Sequence, residues 1–318
     1  MSLSRVLILD PVHPDGPAHL RAAGIEVVHL PRPEEAEILA HMPRADALIL
    51  RGRHLSEAAW DAGTGLRLVS RHGVGCDNVD FARMGRQGVT VAVTADANSV
   101  SVAEHAFALM LAALKRLPAA ARHAAGDWAG RDGLGARQLH GAEVLVAGFG
   151  RIGRAFAARA QAFGARVAVF DPELPPDAPL PEGAARATEL GEAVARADIV
   201  SLHMPALPAT RGLFDAALLA RLAPGATLVN TARGGIVDEA ALLDRLSRDG
   251  GTIYATDVLA HEPPEPDDPL LSHPQVIVTP HSAAMTREGA RLMSLGAAQN
   301  VTAFRDGALP ARMVAFAP

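Results

Sequence analysis

The chain has 318 residues, a formal net charge of −5 at pH 7 and 49% hydrophobic residues, enough for two α/β domains of roughly 100–200 residues each. Its one cysteine, Cys76, excludes a disulfide within the chain and a cysteine-built zinc site. Its one lysine, Lys115, sits in the apolar run AFALMLAALKRL with no glycine loop before it, which excludes a P-loop and a lysine Schiff base. The acidic balance offers no general attraction to nucleic acid or anionic membranes. No stretch approaches the ~20 apolar residues of a membrane span. The segment MSLSRVLILDP lacks a basic stretch followed by a long apolar run, so a cytoplasmic protein is expected.

Short apolar or β-branched runs alternate with helical patterns almost from end to end, as repeated βα units require. In the first hundred residues RVLILD, IEVVHL, ALILR, LRLVSRHG and VTVAV read as strands, with helices such as GPAHLRAAG and DNVDFARMGRQG stopped by glycine between them. After Asn98, the spacing of Ser101 and Glu104 predicts a capping box opening a long helix that ends before Pro118. Its apolar residues cover most faces, so it should be buried between domains or against another subunit. A polar, glycine-rich stretch follows, and then a second set of strands: EVLVAGFG, ARVAVFD, DIVSLHM, ATLVNTA, TIYATDV and VIVTPH. A last helical stretch runs from about Met285 to Arg305 and by pattern could join either domain. The order predicts an α/β protein of two doubly wound parallel sheets.

Gly148-Phe149-Gly150-Arg151-Ile152-Gly153 follows a strand and opens a helical run, and seventeen residues separate Gly153 from Asp171 at the end of the next strand. Strand, glycines, helix and acid together predict a dinucleotide site. Gly148 permits a tight turn, Gly150 close approach of a pyrophosphate, and Gly153 close packing of helix on sheet. The helix N-terminus supplies N–H groups and a positive dipole end, and Arg151 and Ile152 in its first turn would also lie against the cofactor. Asp171 would accept hydrogen bonds from the ribose hydroxyls and repel a 2′-phosphate, which favours NAD over NADP.

Arg233 in NTARGGIVDE, Glu262 in DVLAHEPP and His281 in TPHSAAMT all fall at or just beyond predicted strand ends, where open α/β sheets bind ligands. A hydride leaves an alcohol carbon only if the hydroxyl proton is taken up, and an imidazole suits that task at neutral pH. His281 is therefore the candidate acid/base, Glu262 the carboxylate that raises its pKa, and Arg233 the planar fork for a substrate carboxylate. Neither G-x-S-x-G nor H-E-x-x-H occurs, so hydrolases lack support.

The dinucleotide fingerprint followed by NTARGGIVDEAAL, DVLAHEPP and TPHSAAMT resembles the D-isomer-specific 2-hydroxyacid dehydrogenase family over nearly the whole chain. That resemblance implies hydride transfer between NAD(H) and C2 of a small D-2-hydroxy acid. It gives Arg233, Glu262 and His281 the catalytic roles, and Thr231, Ala232 and Asp257 cofactor contacts. It implies a flavodoxin-like substrate domain over 1–99 completed by 286–318, and a Rossmann NAD-binding domain over 100–285. The helix after Asn98 would be the element of a homodimer. Within the family, SRHGVGCDNVD and LRGRHL look most like the phosphoglycerate dehydrogenase branch, which works in serine biosynthesis. There the backbone of Val74 and Gly75 would bind the substrate carboxylate, and Arg51 and Arg71 a phosphate, with D-3-phosphoglycerate as the expected substrate. A glyoxylate or hydroxypyruvate reductase is the alternative within the class. An NAD-sensing, non-catalytic dimer is the alternative outside it, disfavoured because a sensor needs no acid/base set. Formate dehydrogenases of the family carry glutamine at the place of Glu262, and Ala283 and Ala284 stand where glycine is common.

Overall fold

The structure is a computed structural model that describes residues 3–318. Two compact units make up the chain, the described part of Met1–Asn98 with Ala284–Pro318, and Ser99–Ala283.

In the first unit the chain runs β1 (Arg5–Leu9), α1 (Asp15–Ala22), β2 (Glu26–Leu30), α2 (Glu35–His41), β3 (Ala47–Leu50), α3 (Glu57–Ala62), β4 (Leu68–Arg71), α4 (Phe81–Gln87) and β5 (Thr90–Ala92). The strands β2, β1, β3, β4 and β5 lie side by side in that order, all parallel, which is the flavodoxin-like order 2-1-3-4-5. ALIL of β3 and LVSR of β4 are buried at every position, as expected of parallel strands covered by helices on both faces.

The second unit runs α5 (Ser99–Leu114), α6 (Leu117–Gly126), β6 (Glu143–Ala147), α7 (Arg151–Ala162), β7 (Arg166–Phe170), β8 (Ala185–Arg186), α8 (Leu190–Arg196), β9 (Ile199–Leu202), α9 (Ala216–Leu219), β10 (Thr227–Asn230), α10 (Glu239–Arg248), β11 (Ile253–Thr256), α11 (Pro269–Ser272) and β12 (Val276–Val278). Its sheet has the order β8-β7-β6-β9-β10-β11-β12, again all parallel. This is the Rossmann order 3-2-1-4-5-6 with one strand added, and its switch point lies between β6 and β9.

The chain then returns to the first unit with α12 (Arg287–Arg305) and β13 (Val314–Phe316). Thr286 caps α12 by accepting the Gly289 N–H, and the helix packs on α1, β3 and β4. The three-residue β13 pairs antiparallel with β5 and closes that edge; VAF is too short to show a period.

The expected capping box does not open the helix. The helix starts at Ser99, so Ser101 is buried inside its first turn, and Glu104 instead pairs with Arg159 of α7 at 2.9 Å. α5 is buried against β10, β11 and α7 of its own unit, which accounts for its apolar faces. It ends at Leu114, Arg116 turns left-handed at φ 53°, and α6 begins with Pro118 in its first turn. No residue of α6 is buried, and Leu117 and Trp128 are exposed. Among the described residues no helix is long and apolar enough to cross a membrane.

Candidate active site

The glycine turn lies at the C-terminal end of β6, at the switch point of the seven-stranded sheet. Gly148 has φ 97°, and a Cβ there would sit 2.7 Å from the His203 carbonyl carbon, so the turn runs against the end of β9 and admits only glycine. A Cβ on Gly153 would run into the Gly148 carbonyl, which explains how α7 comes so close to the turn. Gly150 is the N-cap of α7 with no side-chain cap, and a Cβ there would meet nothing within 4 Å. The first N–H groups of α7 are therefore left for an anion rather than spent on a cap.

Arg151 is exposed in the first turn of α7, and Ile152 is half-buried against the core. Asp171, one residue past β7, is tied to the same turn: its carboxylate accepts the Phe149 N–H at 2.7 Å and the Glu173 N–H at 2.9 Å. Beyond β10, the Thr231 hydroxyl is buried and has no hydrogen-bond partner among the described residues, an orphan that a bound ligand would satisfy. An open helix N-terminus, a carboxylate one strand away and an orphaned hydroxyl fit a dinucleotide.

Three strand ends bring the titratable groups together. His281, three residues past β12, has φ 49°, and its Nδ1 lies 2.6 Å from Glu262 Oε2. Glu262 Oε1 accepts the Leu259 N–H at 2.9 Å, which orients the carboxylate toward the ring. The hydrogen bond to Glu262 holds His281 above the ordinary 6.5; burial opposes this and the Glu262 charge adds to it. Burial pushes the Glu262 carboxyl up, but the hydrogen bonds from His281 and Leu259 and the charges of His281 and Arg233 outweigh it and hold the group below the usual range. With Nδ1 committed to Glu262, Nε2 is the ring atom that can exchange a proton with a ligand.

Arg233, on the loop after β10, lies close enough for its charge to act on both partners. Its loop is shaped by buried Asn230, which donates to the Arg233 carbonyl at 2.9 Å and accepts the Ala232 N–H at 3.0 Å. Asn230 opens NTARGGIVDE, but a strand-end amide gives no signal of its own. Ala232 is half-buried against the core. Asp257, 1% exposed, accepts the Ser282 and Ala283 N–H groups at 2.9 and 2.8 Å, so it braces the loop of His281.

In the first unit, Val74 is exposed and Gly75 half-buried after the end of β4. Arg51 is half-buried, with Nη1 3.2 Å from the Pro11 carbonyl. Arg71 departs from the expectation that it meets a substrate phosphate. It is 7% exposed, and its guanidinium donates to the carbonyls of Gly75 at 2.9 Å, Leu50 at 2.6 Å, and Arg51. Those donors tie the ends of β3 and β4 together, which makes Arg71 a brace of the Val74–Gly75 segment. Asn78, which carried no signal beyond its place in CDNVD, completes the brace by donating to the carbonyls of Arg51 and Arg53 at 3.1 and 2.7 Å. Cys76 beside this segment is half-buried.

Residues 107–283 match the family described as D-isomer specific 2-hydroxyacid dehydrogenase, NAD binding domain. The chain is 41% identical over 298 residues to the D-3-phosphoglycerate dehydrogenase of Mycobacterium tuberculosis, an alignment covering 91% of this chain and 54% of that protein. It thus spans about half the length of the curated relatives it matches. Among solved structures it is similar to the TT0316 protein of Thermus thermophilus, with 30% identity, a TM-score of 0.84, and coverage of 98% of this chain and 100% of that one. It is equally similar in sequence, at 30% and a TM-score of 0.83, to an NADPH-dependent glyoxylate/hydroxypyruvate reductase of Sinorhizobium meliloti, covering 99% and 100% of the two chains. The glycine turn, its neighbouring carboxylate and these matches lead to one assignment: the chain belongs to the D-isomer specific 2-hydroxyacid dehydrogenase family, and residues 107–283 form the NAD binding domain of that family.

Proposed function

We propose that the chain is an NAD-dependent dehydrogenase of a small D-2-hydroxy acid, with D-3-phosphoglycerate and 3-phosphohydroxypyruvate as its substrate pair. The observation that carries the chemistry is the 2.6 Å contact between His281 Nδ1 and Glu262 Oε2. It holds the imidazole pKa above the ordinary 6.5, and Nε2 would deliver that proton to the oxygen of a 2-oxo acid during reduction and recover it during oxidation. Arg233 binds the carboxylate through two donors and polarises the adjacent carbonyl. Gly148, Gly150, Gly153 and the first turn of α7 would hold NAD, with Asp171 toward the ribose and Thr231, Ala232 and Asp257 beside it, and NAD bound there would supply or take up the hydride.

The substrate reading is supported by the 41% identity to a D-3-phosphoglycerate dehydrogenase and by Arg51, which supplies a cation for a phosphate. The N–H groups of Val74 and Gly75 are the proposed hold on the carboxylate, with Arg71 supporting them from behind. The structural likeness to a glyoxylate/hydroxypyruvate reductase favours the second reading, a reductase that does not recognise phosphate. Steady-state rates with 3-phosphohydroxypyruvate, hydroxypyruvate and glyoxylate distinguish the two. A clear preference in kcat/KM for the phosphorylated substrate supports the first, and no preference selects the second.

The chain is proposed to act as a homodimer. Exposed Leu117 and Trp128, on and beside a helix with no buried residue, support α6 and the turn after it as the paired surface in place of α5. Light scattering of the wild type and of Trp128→Glu tests this: a dimer that dissociates in the variant is expected.

A further inference from the structure

Helix α5 is joined to the His281 loop by a chain of hydrogen bonds. His105, on the second turn of α5, places Nε2 2.8 Å from Thr279 Oγ1, and Thr279 Oγ1 lies 2.6 Å from Asp257 Oδ1. Oδ1 also accepts the Ser282 N–H and Oδ2 the Ala283 N–H, so the carboxylate is an acceptor on both oxygens. Thr279 must then donate to Asp257. A hydroxyl has one proton to give, so Thr279 accepts from His105, and that fixes His105 Nε2 as a protonated donor. The order is His105 to Thr279 to Asp257, and His105 Nε2 also lies 3.5 Å from Asp257 Oδ1 directly.

Asp257 in turn ties down three successive residues of the loop. Its carbonyl accepts the His281 N–H at 2.9 Å, and its carboxylate takes the next two N–H groups at 2.9 and 2.8 Å. These ties matter because His281 has φ 49°, a left-handed conformation that a histidine keeps only when its surroundings hold it there. Glu262 sets the ring; Asp257 sets the backbone from which the ring projects.

We infer that His105 is a positioning residue for His281. Through Thr279 it locks the Asp257 carboxylate in the orientation that receives the Ser282 and Ala283 N–H groups, and so holds the imidazole where Glu262 and a substrate oxygen meet it. The inference deepens the proposed function and rests on the acid/base role given there to His281.

The test compares His105→Leu, His105→Gln and Thr279→Val with the wild type, using NADH and 3-phosphohydroxypyruvate, hydroxypyruvate and glyoxylate. His105→Leu should lower kcat roughly tenfold, the scale of one lost hydrogen bond, with a smaller change in KM for NADH. His105→Gln, whose amide can donate to Thr279, should recover most of the loss. The double variant His105→Leu/Thr279→Val should lose less than the product of the two single losses, since both act on one carboxylate. Independently of turnover, amide hydrogen exchange at Ser282 and Ala283 should speed up in His105→Leu and stay near wild type in His105→Gln. Wild-type kcat and exchange in His105→Leu, or equal damage in Leu and Gln, overturns the inference. If the wild type reduces none of the three acids, the functional reading fails, and the exchange measurement still decides the role of His105.

Discussion

Arg71 donates from Nε to the Gly75 carbonyl at 2.9 Å, so the side chain expected to hold a substrate anion instead holds the segment proposed to bind it. Arg51 and Arg71 should therefore respond differently to truncation. Arg71→Ala leaves three carbonyls without their charged donor and should cost about 3 kcal/mol of stability. Arg51→Ala should leave the melting temperature unchanged and raise KM for 3-phosphohydroxypyruvate at least tenfold more than for glyoxylate. Thermal melting and steady-state kinetics of the two variants check this. An unaltered KM in Arg51→Ala would remove it from phosphate recognition.

The pairing of His281 with Glu262 sets a pH dependence. Because the hydrogen bond to Glu262 raises the histidine above 6.5, the protonated form needed for reduction is present below that raised pKa and lost as pH rises through it. Glu262→Gln replaces the anionic partner with a neutral one, so the alkaline limb of kcat/KM for reduction should move to lower pH. His281→Ala should lower kcat by roughly 10²–10⁴-fold while NADH still binds by fluorescence titration. A limb that stays in place in Glu262→Gln would show that another group titrates.

Arg233→Lys should also be far from neutral. An ammonium is a point charge and cannot reproduce the two-donor fork, so KM for every 2-oxo acid in the panel should rise together and kcat should fall. A variant with wild-type constants would separate Arg233 from carboxylate binding.

Asp171 is tied by its carboxylate to the Phe149 N–H at 2.7 Å, which keeps a negative charge beside the glycine turn. Asp171→Ala should reduce the preference for NAD over NADP by roughly ten- to hundredfold, read as the ratio of kcat/KM with the two cofactors. The same ratio in variant and wild type would mean that another group selects the ribose.

What the sequence revealed follows the range of each interaction. EVLVA and the glycines after it were legible because strand, turn and helix lie within a dozen residues, each with its own steric demand. Arg233, Glu262 and His281 were legible because strand ends of one sheet share an edge. Ser101 misled: serine and glutamate at capping spacing also occur one turn into a helix, and the start at Ser99 shows only in the backbone. Arg71 misled for a different reason. The sequence supplies a cation, but whether it faces a ligand or three carbonyls depends on how β3 and β4 lie together. The chain from His105 to Asp257 was invisible, because its members are 174 and 22 residues apart and none is unusual in its local setting.

Two further histidines, one in each unit, should govern acid stability. Burial, with the Arg51 charge adding to it, pushes His72 down to about 4, and burial pushes His203 down to about 3. Both are neutral when folded but take up a proton near 6.5 when unfolded. The unfolded chain then binds more protons below pH 6.5, and stability falls with acidification by a slope approaching about 1.4 kcal/mol per pH unit for each histidine. His281 acts in another window, since its raised pKa gives a contribution that is complete below 6.5 and lost only above it. Glu262, lowered from 4.5, gives a contribution lost only toward lower pH. Between pH 6.5 and 5 His72 and His203 therefore lower stability on acidification, opposed by Glu239, which burial raises above 4.5. Urea midpoints across this interval should fall for the wild type and flatten in His72→Asn for the first unit and in His203→Gln for the second. The slope is the readout, because either substitution can lower stability at every pH. An unchanged slope in both variants would show that neither histidine is kept neutral by the fold.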